Sequence, residues 1–401
     1  MTRRLRWRLT TPIALTITAA LAAGCSAGAD AGADAGAEDS AATIKIGTLY
    51  SVTGPAANVG DKMRKGTELA VEQINQRGGI DGRKIEWKFY DPAGDTSTAV
   101  TQTRKLLTDD KVDAIVGGGS SSGIALAMGQ LTASAKKLFV ATEGARAIVQ
   151  PETEHPLTFK ATFNDTVVMQ KIIEFWKAKG VTNVALLPDT SGFGQSALEV
   201  AEKELPAAGL KLAVASFDPG TGDFTPLLTK LGAGKPQAYL AWTTDSSGVT
   251  FLKNARTVVT DGAALIQHSF GFVDDRYMKQ AGDAGVGTVL SSPKLPVADL
   301  LPDSDPQKKT IGEFAAAYEA KYHEQPNVYA GQAYDALMLA AEAIGKAKST
   351  DGPLAAKALE TLGEHVGVTG VFRYSAQDHS GLGTDGVEMI KWDGERFVLA
   401  G

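Results

Sequence analysis

Short apolar runs alternate with amphipathic stretches along the chain from residue 43 onward. After the first run, apolar residues recur every three or four positions from Val59 to Ile74, which predicts a helix that ends at Gly78 and Gly79. The runs that have the length of buried strands lie at 44–49, 85–90, 112–116 and 138–141. Repeated strand–helix units predict a parallel sheet with helices on both faces.

The same alternation begins again after Phe163. The second set of runs predicts strands at 183–187, 212–217, 238–241 and 264–267. From about 289–293 the sequence becomes rich in proline and aspartate, which indicates a loop; helices at 311–322 and 331–347 and three short strands follow. We therefore expect two α/β lobes that face each other across a cleft. Parallel sheets bind ligands beyond the carboxyl ends of their strands, so the cleft is the expected binding site.

The first 24 residues have the pattern of an export signal. A basic start is followed by an apolar run at 13–23 that is short for a membrane span. Leu-Ala-Ala-Gly precedes Cys25 and resembles a lipobox, although Ala22 stands where leucine is commoner. We predict a signal peptide at 1–24, lipidation of Cys25, and a flexible tether rich in Ala, Gly and Asp up to residue 42. The alternative is an ordinary secreted protein whose cysteine has no role.

These expectations place the body of the protein outside the cytoplasm, held by lipid at the outer face of the cell membrane. No later segment contains 18 consecutive apolar residues. The total of 401 residues suits two domains, and the net charge of −6 argues against a nucleic-acid partner, which needs a basic face. The single cysteine excludes an intramolecular disulfide, and the five histidines lack metal-ligand spacing. We therefore expect no metal and no cofactor.

The most informative motif is Gly-Gly-Gly-Ser-Ser-Ser-Gly at 117–123. It follows a predicted strand and begins a predicted helix, so free N–H groups and the helix dipole favour an anion there. Glycines let the backbone approach a ligand closely, and serine hydroxyls add donors. The pattern is that of a carboxylate-binding loop. The alternative is a plain capping loop, because serine is a common N-cap.

The same stretch contains Gly-x-Ser-x-Gly, which is the nucleophile motif of serine hydrolases, with Ser121 as the nucleophile. His268, His365 and His379 follow in the order that such a triad requires. However, no His-Gly-Gly-Gly oxyanion motif precedes it, and a run of serines easily produces a chance match. We keep the hydrolase as a minor alternative and expect no enzyme. A phosphate-binding P-loop is excluded, because no Gly-Lys-Ser/Thr follows the glycines.

Further candidates lie near the ends of predicted strands. Glu143 follows the strand that ends at residue 141, where it is placed either to hold an amine or amide or to pair with Arg146. Four aromatic residues lie just after strands or before helices: Phe193, Trp242, Phe270 and Tyr329. Taken singly, each is more typical of a core, but together at the cleft they would form an apolar wall.

Several of these motifs, in this order, resemble the leucine/isoleucine/valine-binding family of periplasmic solute-binding proteins. The most specific is Gly-Gly-Ile-Asp-Gly-Arg at 78–83. The others are Ile-Lys-Ile-Gly at 44–47, Thr-Gly-Pro at 53–55, Ala-Val-Glu-Gln-Ile-Asn at 70–75, Tyr-Asp at 90–91, the serine stretch, and Gly-Gln-Ala-Tyr-Asp-Ala at 331–336. The resemblance extends from about residue 43 to the C-terminus.

The resemblance implies a type 1 periplasmic binding protein fold, in which two Rossmann-like lobes are joined by three hinge crossovers. The expected crossovers lie near Thr162, Leu290 and Thr369. The expected N-lobe comprises 43–162 and 291–369, and the expected C-lobe comprises 163–290 and 370–401.

The resemblance also implies the ligand-binding residues. Two serines hold the ligand carboxylate, a neighbouring loop completes that site, residues of the far lobe close over the ligand, and an aromatic touches its side chain. In that order, the matching positions are Ser121 and Ser122; Glu143 and Ala145; Phe193, Thr243 or Thr244, and Phe270; and Tyr329.

The chain departs from the amino-acid binders of this family at three of the relevant positions. Phe270 stands where those proteins carry the acid that pairs with the ligand ammonium, Ala145 replaces a hydroxyl-bearing residue, and Val59 replaces an aromatic. A buried ammonium without a partner is costly, so an α-amino acid is disfavoured unless Glu143 substitutes for the missing acid.

Segments 293–306 and 378–382 resemble a sub-branch linked to uptake of aromatic and keto acids. We therefore predict the solute-binding lipoprotein of an ABC importer, a monomer that captures an aromatic or 2-keto acid by hinge closure and presents it to permease subunits. Binding of a branched-chain amino acid (Leu, Ile or Val) is the first alternative. A sensor or receptor module on the same fold is the second, and the sequence does not separate it from an importer.

Overall fold

The computed structural model describes residues 43–401. The predicted signal peptide, the lipidation site at Cys25 and the tether lie outside the described residues. The strands, in chain order, are β1 (Ile44–Leu49), β2 (Ile85–Tyr90), β3 (Ala114–Val116), β4 (Leu138–Ala141), β5 (Thr158–Lys160), β6 (Asn183–Pro188), β7 (Lys211–Val214), β8 (Ala238–Trp242), β9 (Leu265–His268), β10 (Val289–Ser292), β11 (His365–Val366), β12 (Val371–Phe372), β13 (Glu388–Trp392) and β14 (Phe397–Leu399).

Helices cover the sheets. The α-helices are α1 (Ala57–Gln76), α2 (Thr96–Thr108), α3 (Ser122–Ser134), α4 (Asp165–Ala178), α5 (Gly192–Ala207), α6 (Thr225–Gly232), α7 (Ser247–Val258), α8 (Asp275–Ala281), α9 (Pro306–Tyr322), α10 (Val328–Ala347) and α11 (Gly352–Glu360). Short 3-10 helices lie at Arg146–Ile148, Phe270–Phe272, Gly282–Gly285, Leu295–Leu300 and Thr384–Gly386.

The first sheet contains five parallel strands in the order β2-β1-β3-β4-β5. Alternate residues of β3 belong to different apolar clusters because successive side chains of a strand point to opposite faces. Ile115 clusters with residues of α2 and α3, whereas Ala114 and Val116 cluster with residues of α1 and α10. The sheet is therefore buried on both faces, as the continuous apolar runs predict.

The second sheet contains seven strands in the order β14-β13-β10-β9-β8-β6-β7. Strands β6 to β10 are parallel to one another, and β13 and β14 add an antiparallel edge beside β10. One face carries α4 and α5, with Val184 and Leu186 in their cluster, and the other carries α6 to α8, with Ala185 and Leu187 in theirs. Burial on both faces again explains the apolar runs.

One predicted loop is wrong. The composition of the chain predicts a Pro/Asp-rich loop from about residue 289, but residues 289–292 form β10, which is entirely buried. β10 lies between β9 and β13, so its partners come from elsewhere in the chain. Its four residues are too few to show the alternation of side chains that would predict a strand. The loop begins at Pro293.

The chain passes between the two sheets three times. It leaves β5 for α4, leaves β10 for α9 to α11, and leaves β12 for β13. The first lobe, as used below, is the five-stranded sheet with α1 to α3 and α9 to α11. The second lobe is the seven-stranded sheet with α4 to α8.

Candidate ligand-binding site

A cavity of about 270 Å³ lies between the lobes and is lined by loops at the carboxyl ends of strands from both. Of the predicted site residues, seven line it: Ser121, Ser122, Glu143, Phe193, Thr244, Phe270 and Tyr329. Ala145 and Thr243 do not line it and are buried behind it. The Ala145 N–H donates to Ser122 Oγ at 3.3 Å, and the Thr243 hydroxyl lies 3.3 Å from Asp245 Oδ1.

The serine stretch forms the loop between β3 and α3, so the N-terminus of a 13-residue helix faces the cavity. Ser121 is the N-cap residue, with extended backbone and no side-chain hydrogen bond to the first turn. Its hydroxyl therefore remains available to a ligand. Ser120 has φ of 63°, a left-handed conformation that turns the loop toward the helix. Free donors at a helix N-terminus attract an anion.

The side chain of Glu143 braces this loop from behind. Its Oε1 accepts hydrogen bonds from the N–H groups of Gly118 (3.0 Å) and Ser120 (3.1 Å) and from the Thr142 hydroxyl (2.9 Å). Its Oε2 accepts the Thr142 N–H at 2.9 Å. Burial raises the pKa of Glu143, and these hydrogen bonds oppose that rise. A Cβ at Gly118 would lie 2.1 Å from Oε2, so the glycine makes room for Glu143.

The predicted alternative that Glu143 pairs with Arg146 is wrong. Arg146 turns away to the second lobe, where it donates to the Ser196 carbonyl at 2.9 Å and lies 2.6 Å from Glu199 Oε2. Both partners belong to α5, so this contact joins the lobes. Four nearer donors already engage Glu143.

The second lobe contributes an aromatic wall, defined as Phe193, Trp242 and Phe270. The rings of Phe193 and Phe270 pack edge to face with centroids 5.4 Å apart, and Trp242 lies 5.6 and 5.9 Å from them. Phe193 and Phe270 line the cavity, and Trp242 is buried behind them. A Cβ at Gly144 of the first lobe would lie 2.6 Å from Phe193 and 2.7 Å from Phe270. The two lobes therefore touch here only because residue 144 has no side chain.

Polar contacts also cross between the lobes beside the cavity. Tyr329, in α10, donates its hydroxyl to the Gly271 carbonyl at 2.8 Å. Asn327 donates to Asp274 at 2.9 Å. The two lobes are thus in contact beside the cavity.

The sequence analysis missed several polar residues that line the cavity. Thr162 and Gln332 are buried and joined by a hydrogen bond of 2.9 Å. Asp189, Ser191 and Asp245 line the second-lobe side. Both aspartates come shortly after predicted strands, the same signal that identified Glu143. Each is engaged within the second lobe: Asp189 accepts the Ser191 N–H at 3.0 Å, and Asp245 accepts the N–H groups of Gly220 at 2.7 Å and Ser247 at 2.9 Å.

No histidine is among the residues that line the cavity over 43–401. His268 is stacked on Phe272 in the second-lobe core, where burial lowers its pKa to about 3. His365 pairs with Glu342, and His379 Nδ1 lies 2.9 Å from the Thr158 carbonyl. None of them contacts Ser121, so the hydrolase interpretation finds no base. Within the described part of the chain there is also no acid, histidine or cysteine cluster suited to a metal and no helix long and apolar enough to cross a membrane.

Two α/β lobes around a cavity, with a helix N-terminus on one side and an aromatic wall on the other, are the architecture of a solute-binding protein. The sequence model of the family described as "Periplasmic binding protein" matches residues 43–395. The chain therefore belongs to the periplasmic binding protein family, and to its leucine/isoleucine/valine-binding type.

Individual periplasmic binding proteins are similar to this chain in sequence and in structure. The "Leucine-, isoleucine-, valine-, threonine-, and alanine-binding protein" of Pseudomonas aeruginosa is 29% identical over 326 residues, which cover 80% of this chain and 83% of that protein. LivJ of Streptococcus pneumoniae, solved with isoleucine, has a TM-score of 0.76 at 25% identity and covers 88% of this chain and 97% of its own. A solute binding protein of Rhodopseudomonas palustris, solved with 3,4-dihydroxy benzoic acid, has a TM-score of 0.73 at 22% identity, covering 89% and 96%.

The predicted family and fold class are thereby confirmed: this is a type 1 periplasmic binding protein with two lobes. It is an extracytoplasmic solute-binding protein of the branched-chain amino acid transporter type, a family that delivers small molecules to ABC permeases. Its homologues are solute-binding proteins rather than enzymes.

Proposed function

We propose that this protein captures a small carboxylate with an apolar or aromatic body, an aromatic or 2-keto acid, for import. The observation that carries the proposal is the pairing of an anion-attracting helix N-terminus at Ser121 with an aromatic wall at Phe193 and Phe270. One end of the cavity suits a carboxylate, and the other suits an apolar ring or chain.

The acids in the cavity argue against a ligand ammonium. Glu143, Asp189 and Asp245 are the acids that line it, and each already accepts hydrogen bonds from its own lobe. An ammonium buried without a free partner loses its hydration at a cost of several kcal/mol. A keto or aromatic acid has no such group to satisfy.

A branched-chain amino acid is the second candidate. It is favoured by the P. aeruginosa relative, whose name records binding of leucine, isoleucine, valine, threonine and alanine. In that case Glu143 is the nearest acid to the carboxylate loop and would accept the ammonium. The same fold holds isoleucine in one protein and a dihydroxybenzoate in another, so the side chains, and not the fold, select the ligand.

In the proposed mechanism, the first lobe takes the carboxylate at Ser121 and Ser122. The second lobe then rotates about the three segments that connect the lobes and brings Phe193, Thr244 and Phe270 over the ligand. Tyr329 contacts the apolar part of the ligand. The closed form is presented to permease subunits. Lipid on Cys25 keeps the monomer at the outer face of the membrane, beside the permease. Cys25→Ser removes the thiol that carries the lipid, so it should abolish incorporation of a labelled fatty acid into the protein.

A thermal-shift panel on the body from residue 43 onward tests the ligand class. The panel holds benzoates, 2-keto acids, branched-chain amino acids, amides and sugars. A ligand at 100 times its Kd stabilises the fold by about 2.7 kcal/mol, which a melting curve resolves. Shifts with aromatic or keto acids, lost in the Ser121→Ala/Ser122→Ala double variant, support the proposal. A shift with amino acids alone would support the second candidate, a branched-chain amino acid, instead. Binding that is unchanged in the double variant would show that Ser121 and Ser122 do not hold the ligand carboxylate.

A further inference from the structure

Lys160, the last residue of β5, is fully buried, and nothing in its sequence context pointed to a role. Its Nζ donates to the carbonyl oxygens of Gly144 (2.7 Å), Ala145 (3.3 Å) and Phe163 (3.3 Å) and to Asn164 Oδ1 (2.7 Å). Four acceptors are enough to use all three N–H donors of one ammonium. The position is built to hold this cation.

The four acceptors belong to two segments that take part in ligand capture. Gly144 lines the cavity, and the peptide of Ala145 donates its N–H to Ser122 Oγ. Phe163 and Asn164 lie in the passage from β5 to α4, which joins the lobes. One ammonium therefore connects the binding loop to the first hinge.

The charge of Lys160 has no ion-pair partner among residues 43–401. Three carboxylates nevertheless act on it electrostatically: Asp165, Glu143 and Asp378. Each of these carboxylates accepts hydrogen bonds from groups other than Lys160. Asp165 bonds to Ser196 and the Thr166 N–H, Glu143 to the serine loop, and Asp378 to the N–H groups of residues 380 and 381.

The remaining polar neighbours add no anion. His379 accepts the Lys160 N–H through its backbone carbonyl at 2.9 Å, and Tyr374 donates its hydroxyl to the Lys160 carbonyl at 2.6 Å. Arg146 lies 3.9 Å from Asp165 and partly neutralises it. A buried amine that carries no paired anion within the described residues therefore lies beside the serine loop.

We infer that Lys160 is a positioning residue whose ammonium, held by the carbonyls of Gly144 and Ala145 directly behind the cavity, supplies the counter-charge for the ligand carboxylate. The inference rests on the proposed function and adds to it a coupling between carboxylate binding and the protonation of Lys160. Charges interact more strongly in a buried site than in water, and the peptides of Gly144 and Ala145 are what separates the ammonium from the cavity.

The direction of the pH dependence follows from linkage. Burial lowers the pKa of Lys160 to about 7, and a bound anion raises that pKa. Affinity for a carboxylate is therefore highest below about pH 7 and falls as pH rises, by at most about tenfold per pH unit, until the pKa of the bound form is passed. Deprotonation of Glu143, whose pKa burial raises, acts in the same direction. The variants below separate the two groups.

The test is calorimetry of one panel carboxylate, a 2-keto acid, at pH 6.0, 7.5 and 8.5. Titrations in phosphate and in Tris at pH 7.5 give the protons taken up, because the two buffers differ in ionisation enthalpy. The wild type should take up a fraction of a proton and bind at least about tenfold more weakly at pH 8.5 than at pH 6.0. Carboxylate binding without proton uptake overturns the role of Lys160 alone. Failure of every carboxylate to bind removes the proposed function and this inference together.

Three variants sharpen the test. Lys160→Met should weaken binding about tenfold to a hundredfold at pH 6.0 and flatten the pH profile. Lys160→Arg, which stays charged, should retain tight binding at pH 8.5. Lys62→Met is the matched control, because Lys62 is also buried but pairs with Glu324 at 2.6 Å outside the cavity; it should keep the wild-type profile. A Lys160→Met protein with the wild-type pH profile contradicts the inference. If that variant does not fold, Lys160→Arg decides, because an arginine stays charged and takes up no proton: loss of proton uptake in Lys160→Arg supports the inference, and uptake equal to that of the wild type contradicts it.

Discussion

The two walls of the cavity are built from the same kind of element and differ in how they are supported. Both consist of loops that follow parallel strands. The first-lobe wall is polar and held from behind by Glu143 and Lys160, which together engage backbone groups on three segments. The second-lobe wall combines polar residues with the aromatic wall, and ring packing among Phe193, Trp242 and Phe270 supports its aromatic part.

This difference separates two tasks. A braced polar loop has a fixed geometry before any ligand arrives, which suits recognition of a group common to all ligands. An aromatic wall takes its shape from side chains alone, so one substitution changes what it accepts. We therefore expect the first lobe to set the requirement for a carboxylate and the second lobe to set the identity of the body.

The largest expected effect comes from the point where the walls touch. Gly144→Ala places a Cβ within 2.7 Å of ring atoms of Phe193 and Phe270, so the lobes cannot close fully without shifting those rings. Such overpacking costs about 1–3 kcal/mol, which should weaken binding about tenfold to a hundredfold. Calorimetry measures the affinity, and small-angle scattering shows whether the liganded protein stays more extended.

Gly312→Ala is the matched control for this change, because nothing lies within 4 Å of a Cβ at that position on α9. It should leave affinity unchanged. Normal closure and affinity in Gly144→Ala would show that the walls do not meet in the liganded form.

A smaller effect is expected from changing the aromatic wall. Phe270→Glu adds an acid where amino-acid binders carry one, so it should raise the affinity for leucine relative to the keto acid about tenfold, or about 1.4 kcal/mol. Phe270→Leu removes the ring without adding charge and should not invert the preference. Competition between the two ligands measures the ratio. An unchanged ratio in Phe270→Glu would mean that residue 270 does not face the ligand's polar group.

The smallest effect on affinity is expected at Trp242, which lies behind the wall. Trp242→Phe should weaken binding by no more than about tenfold, since an aromatic pair contributes about 0.5–1.5 kcal/mol. It should, however, abolish the change in tryptophan fluorescence on ligand binding, because this indole packs on both rings that line the cavity. Trp87→Phe, in β2, should retain the signal. A full fluorescence response in Trp242→Phe would place the ligand away from the aromatic wall.

The sequence predicted the features that depend on neighbouring residues. The strand–serine loop–helix unit at 117–123 needs only a strand, a turn and a cap, all readable locally. The alternating apolar runs predicted the two buried sheets for the same reason. Most of the predicted strands therefore agree with the structure within a few residues.

Features that depend on distant partners escaped prediction. A pair of Arg146 with its neighbour Glu143 was one of the two alternatives, but the partners of Arg146 lie 50 and 53 residues away on α5. Lys160 receives its role from carbonyls on two other segments. The choice between Thr243 and Thr244 depends on a single residue of register after β8, and only Thr244 faces the cavity.

The most direct test of the account compares leucine with its own 2-keto acid by isothermal titration at pH 6.0. The two ligands share their carboxylate and carbon skeleton and differ only in ammonium against keto oxygen. We expect the keto acid to bind more tightly, because Phe270 offers the ammonium of leucine no partner. Tighter binding of leucine would contradict the account and assign the ammonium to an acid of the cavity, with Glu143 the first to test.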